Sequence, residues 1–85
     1  MKGGLTAARI RQERRSVGVL YRLVRARLKL SQSDMGALLG VSRDCIMQRE
    51  KTKRVYSIEE LVMLQQLTDI PDLEWWNMLK EIAKP

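Results

Sequence analysis

Arg43, Asp44 and Gln48 stand close together in the chain, and Arg49, Lys51, Lys53 and Arg54 follow at once. Side chains of these types grip anions and hydrogen-bond to flat polar edges: a guanidinium offers parallel donors, an amide a donor and an acceptor, a carboxylate only acceptors. Bond-breaking chemistry lacks comparable material. The chain has no histidine and a single cysteine, Cys45, which removes the usual general base, an internal disulfide and a Cys/His zinc site. No nucleophile and base pair and no Gly-rich phosphate loop can be assembled either, so neither an enzyme nor a metal or other cofactor is expected. Cys45 itself reads as a plain small residue rather than a redox switch, because no thiolate activator stands out beside it.

The 85 residues carry 16 Lys and Arg against 10 Asp and Glu, a formal charge of +6. Residues 1–30 hold nine basic residues and one acid, Glu13, whereas residues 58–85 hold two basic residues and six acids. A basic front and an acidic back suit a protein that lays one face on a polyanion and keeps the other for water or a partner chain. The length allows one hydrophobic core and no more. No apolar run approaches the roughly 18 residues of a membrane span, and no signal peptide is recognisable at the N-terminus. The expected location is the cytoplasm.

The pattern is helical throughout, with no period-two alternation and no internal repeat. Residues 1–15, with few apolar anchors, are expected to be a basic arm or marginal helix. From Ser16 onwards, Val17, Leu20, Tyr21, Val24 and Leu28 recur at helical spacing and mark the buried stripe of a first helix. Three further starts share one device, a Ser with an apolar residue before it and another four positions on: Leu30-Ser31 with Met35, Val41-Ser42 with Ile46, and Tyr56-Ser57 with Leu61. Each reads as an N-cap with a hydrophobic staple, and Asp34 and Glu60 complete capping boxes. Helices are thus expected over 32–39, 43–50 and 58–67, with Met35, Leu38, Leu39, Val41, Ile46, Leu61, Leu64 and Leu67 as core. Only Gly40 and Val41 separate the first two of these from the next cap, which forces the sharp turn of a helix-turn-helix. A fifth helix is expected from near Pro71 to the end. Its apolar residues, Leu73, Trp75, Trp76, Met78, Leu79, Ile82 and Ala83, span about 220° of the wheel, well over the roughly 100° that one core requires. Part of that face is expected to meet another chain.

The string LSQSDMGALLGVSRDCIMQREKTKR, residues 30–54, resembles the helix-turn-helix of phage repressor and Cro-type proteins, the family also named for the xenobiotic response element regulators. The resemblance covers about 50 residues. It rests on Leu30-Ser31-Gln32, Gly36, Leu39-Gly40-Val41-Ser42, Ile46, and Glu50 followed by Arg54. It implies an all-α, compact five-helix, lambda-repressor-like domain: a basic arm (1–15), the DNA-binding unit (16–68) and a C-terminal amphipathic helix (69–85).

In such proteins the helix after the turn lies in the major groove. The resemblance therefore assigns base contacts to Arg43, which can pair with guanine O6 and N7, to Gln48, which can pair with adenine N6 and N7, and to Asp44, which can accept from cytosine N4 or serve only the helix dipole or Arg43. Gln32, Ser42, Arg49, Lys51, Lys53 and Arg54 become contacts to the DNA backbone. Arg25 and Glu50 become a structural ion pair. Lys29, Thr52, Tyr56 and Arg49 depart from the family pattern, so the loops are expected to differ in shape, and Arg49 either leaves a packing gap or adds a phosphate contact. The function implied is a sequence-specific transcriptional regulator, a repressor from a bacterial or phage setting, bound to double-stranded DNA as a homodimer on half-sites roughly 34 Å apart. The alternative is a protein-interaction module, such as an antitoxin or a phage protein, that docks a partner through Leu73, Trp75, Trp76, Met78, Leu79 and Ile82.

Overall fold

Four serines decide where helices begin. Ser16, Ser31, Ser42 and Ser57 each have extended backbone, and each hydroxyl accepts from the amide three residues on, at 3.0–3.2 Å. An N-cap of this kind contributes about 1 kcal/mol. The computed structural model describes residues 16–83, and over them the chain is all-α: α1 (Val17–Leu28), α2 (Gln32–Leu39), α3 (Arg43–Glu50), α4 (Ile58–Thr68) and α5 (Asp72–Ala83). The expected basic arm, residues 1–15, lies outside the described residues. Capping boxes close on both Ser31–Asp34 and Ser57–Glu60. At the other ends Lys29, Gly40 and Asp69 take left-handed backbone, φ 56°, 72° and 55°. Lys29 and Asp69 do so at a cost that a glycine would not carry.

The core lies between α1 and the other four helices. Val17, Leu20, Tyr21 and Val24 of α1 meet Met35, Ile46, Leu64, Ile70, Trp75 and Ile82, all buried. Leu39, Val41 and Leu61 pack against this cluster while partly exposed. Leu38 and Leu67, expected in the core, are instead 42% and 41% exposed. Each stands about 60° round its helix from the buried residue three positions before it, Met35 or Leu64, at the edge of the apolar stripe. Pro71 precedes α5 rather than opening it, its carbonyl accepting from Trp75 N–H at 2.9 Å.

The N-terminus of α1 is sealed by the loop after α3. An α-helix leaves the amides of its N-cap and first three residues without intrahelical partners, and here those of Val17, Gly18 and Val19 are all satisfied. Val17 N–H donates to Arg54 O (2.8 Å) and Gly18 N–H to Thr52 O (2.9 Å), while the Ser16 hydroxyl accepts from Val19 N–H (3.2 Å). An antiparallel bridge between Ser16 and Val55 extends the contact. Such an approach needs a residue without a side chain, since a Cβ on Gly18 would lie 2.5 Å from Glu50 O and 3.0 Å from Thr52 O. The loop carrying Lys51, Lys53 and Arg54 is therefore fixed in place by helix-capping hydrogen bonds. Gly18→Ala is expected to push that loop off and cost about 1–3 kcal/mol. In thermal unfolding this appears as a Tm drop of about 4–8 °C per kcal/mol, and a variant melting with the parent chain would contradict it.

Candidate nucleic-acid interface

α2 and α3 are joined through Gly40, Val41 and Ser42, and the chain doubles back closely enough that Val41 N–H reaches Gly36 O at 2.9 Å. A Cβ on Gly36 would lie 2.7 Å from Val41 O. The pair then rests on a polar floor. Glu50, 7% exposed at the end of α3, accepts from Arg25 Nε at 2.8 Å and Arg25 Nη2 at 3.2 Å, and from Gln32 Nε2 at 3.2 Å. Arg25 Nη1 also donates to Leu30 O at 3.1 Å. A single guanidinium thus ties α1, the segment before α2, and α3 together.

Among the residues assigned to DNA, the structure separates two groups. Arg43, Asp44, Gln48, Lys51 and Lys53 are exposed, and among the described residues none has a side-chain hydrogen bond or ion pair. On an ideal helix Arg43, Asp44, Met47, Gln48 and Lys51 share an arc of about 140°. Ile46 and Glu50, the buried residues of α3, lie outside that arc.

The second group is engaged within the fold. Arg49, assigned to a phosphate, lies against α1: its Nη1 donates to Tyr21 Oη at 2.9 Å, and its guanidinium carbon is 5.5 Å from the ring centroid. A guanidinium stacks and hydrogen-bonds at once, so Arg49 is engaged on the α1 side of α3. Arg54 makes a bidentate pair with Glu60, at 2.7 and 2.9 Å, which draws it to the N-terminus of α4 and away from the open edge. Gln32 gives one amide hydrogen to Glu50 instead of standing free, and Ser42 uses its oxygen as the α3 cap. The backbone amides of Gln32 and Ser33, at the start of α2, have no acceptor among the described residues. The apolar periodicity marks Tyr21 as core alone. Its second role, as acceptor for Arg49, has no local signal in the sequence, the two residues being 28 positions apart.

α5 also divides. Trp75 and Ile82, assigned to an interface, are 5% and 4% exposed and belong to the core, with Met78 and Leu79 packed beside them. Those four cover about 100° of the wheel, as one core-facing stripe should. Leu73 and Trp76 are 71% and 58% exposed. Trp76 lies under Lys80 Nζ, 6.0 Å from the ring, and forms one wall of an apolar groove of about 320 Å³ with Val55, Tyr56, Leu61, Leu79 and Ala83. Arg27 and Glu74 pair across α1 and α5 at the surface. Cys45 is half-buried on α3, and among the described residues no group of His, Cys, Asp or Glu could hold a metal ion. No described helix is long and apolar enough to cross a membrane.

The Arg54 contact has a pH signature. Hydrogen bonds from Arg54 first, then from the Ser57 amide, hold the Glu60 carboxyl below the usual glutamate range against an opposing effect of burial. A carboxyl depressed in the folded state stabilises fully above its unfolded pKa, about 4.3, and loses that contribution as pH falls through the folded value. In urea unfolding, the parent chain is expected to exceed Arg54→Ala most near pH 6–7, with the gap closing as pH falls from about 5 towards 3. A gap independent of pH would contradict this.

Comparison with protein-family models, with curated proteins and with solved structures returned no match.

Proposed function

We propose that this chain is a sequence-specific DNA-binding regulator of transcription, a cytoplasmic repressor of bacterial or phage origin, that acts as a homodimer with α3 in the major groove and does no catalysis. One observation carries the reading: Arg43, Gln48 and Lys51 share one exposed arc of α3, and with Lys53 in the loop after it they are cations and an amide that the fold does not use. Arg49, Glu50 and Arg54 are engaged internally, while Arg43, Gln48, Lys51 and Lys53 are left to solvent.

Arg43, in the first turn of α3, offers the parallel donors that suit guanine, and Gln48 the donor and acceptor that suit adenine. Lys51 and Lys53 supply charge to phosphates. The free amides at the start of α2 suit a further phosphate, since a helix N-terminus favours an anion. Repression then follows from occupancy of a site that a polymerase also needs. The exposed Leu73 and Trp76, the latter a wall of the apolar groove, are the surface proposed for the dimer. That same observation favours the second reading, a module that docks a different protein there.

The test is selection from a random duplex pool at physiological salt with the parent chain, Arg43→Ala and Lys51→Ala. An inverted repeat with a G in each half is expected. Arg43→Ala should relax that position at a cost of about 1–3 kcal/mol, whereas Lys51→Ala should weaken all sites alike and lower the salt slope by about 1. Weak, salt-sensitive, sequence-blind binding by all three would overturn the assignment.

A further inference from the structure

α3 is short, and of its eight residues only Ile46 and Glu50 are buried. A single buried aliphatic side chain constrains a helix's rotation only weakly, because a wide apolar stripe is what normally fixes it, and the backbone bonds of Val41 to Gly36 and of Gly18 to Thr52 hold the chain at the two ends of α3. Polar contacts on two flanks take over here. On one flank Arg25 and Gln32 hold Glu50. About 100° round the helix, Arg49 reaches back to α1, donating to Tyr21 Oη at 2.9 Å with its guanidinium over the ring. Tyr21 is 1% exposed, so its hydroxyl is held by the surrounding core.

We infer that Tyr21 is a positioning residue for the DNA edge of α3: its hydroxyl, through Arg49, sets the rotation at which Arg43 and Gln48 meet base edges. The inference rests on the DNA-binding reading above. Side-chain ends lie roughly 6 Å from a helix axis, so a roll of about 20° carries them about 2 Å. Hydrogen bonds occupy a window of about 0.5 Å. Paired contacts to a base are lost by such a roll, while flexible lysines still reach phosphates. Loss of the Tyr21 hydroxyl therefore removes discrimination and leaves general affinity in place. Burial raises the Tyr21 pKa, with Arg49 opposing the rise, so the hydroxyl stays protonated and keeps an oxygen lone pair for Arg49 at neutral pH.

The experiment compares the full chain with Tyr21→Phe, Arg49→Met and Arg43→Ala. Each is measured on the selected duplex and on a scrambled duplex of equal length, over a range of salt, with thermal unfolding alongside. Tyr21→Phe keeps the ring and Arg49→Met keeps an unbranched stem, so the second reports on the contact if the first does not fold. Both are expected to lower the ratio of specific to scrambled affinity by about five- to tenfold, with scrambled affinity and salt slope unchanged. A ratio preserved within about twofold in both, while Arg43→Ala lowers it, would overturn the positioning role and leave the DNA reading standing. A salt slope reduced by about 1 in Arg49→Met would make Arg49 a phosphate ligand and overturn the role as well. A ratio that Arg43→Ala also leaves unchanged would remove readout by α3, and the inference with it.

Discussion

Glu50 sits at the last position of α3, 7% exposed. Two costs meet there, since burial disfavours a carboxylate and the negative end of a helix disfavours it again. A charge in that place persists only with partners. Arg25 supplies two hydrogen bonds and Gln32 a third, which obliges the last turn of α1 and the first turn of α2 to converge on the end of α3. Removing one partner of a fully buried pair typically costs about 3–5 kcal/mol, and with Arg25 27% exposed the cost here falls below that. The constraint is thus comparable to any single apolar contact in so small a core, and it has direction, which apolar burial lacks.

The rest of the fold follows from satisfying that convergence at close range. Gly18 lets the backbone of residues 50–52 lie against α1, and the loop then caps that helix with its own carbonyls. The cations nearest this junction are absorbed by it: Arg25 by Glu50, Arg49 by Tyr21, Arg54 by Glu60. The cations beyond it, on the outer arc of α3 and in the loop after it, stay exposed. In the proposed function these three contacts together leave the groups that remain to meet a polyanion.

Local chemistry makes much of the fold legible in the amino-acid sequence. Ser16, Ser31, Ser42 and Ser57 announce helix starts because a cap depends on residues within one turn of it. Partners from distant elements are another matter. Arg49 and Tyr21 are 28 positions apart, and nothing near Arg49 in sequence says that a buried hydroxyl awaits it. Trp75 and Trp76 are neighbours yet point about 100° apart on a helix, so periodicity reports the width of the apolar face without saying which part α5 buries. Leu38 and Leu67 fall outside the core for the same reason. Gly18, inside an otherwise continuous helical stripe, is a signal of close backbone approach that the pattern of apolar residues obscures. The Arg25–Glu50 pair comes from resemblance to a family rather than from spacing.

The central claim, that the open edge of α3 is the surface that meets DNA, is tested most directly by mapping amide chemical shifts of the isotopically labelled chain during titration with its selected duplex. The account predicts that the largest changes fall on Ser42–Lys53 and on Gln32 and Ser33, with Trp75 and Ile82 in the core little affected. Changes concentrated on Leu73, Trp76 and the groove, with α3 unmoved, would contradict it.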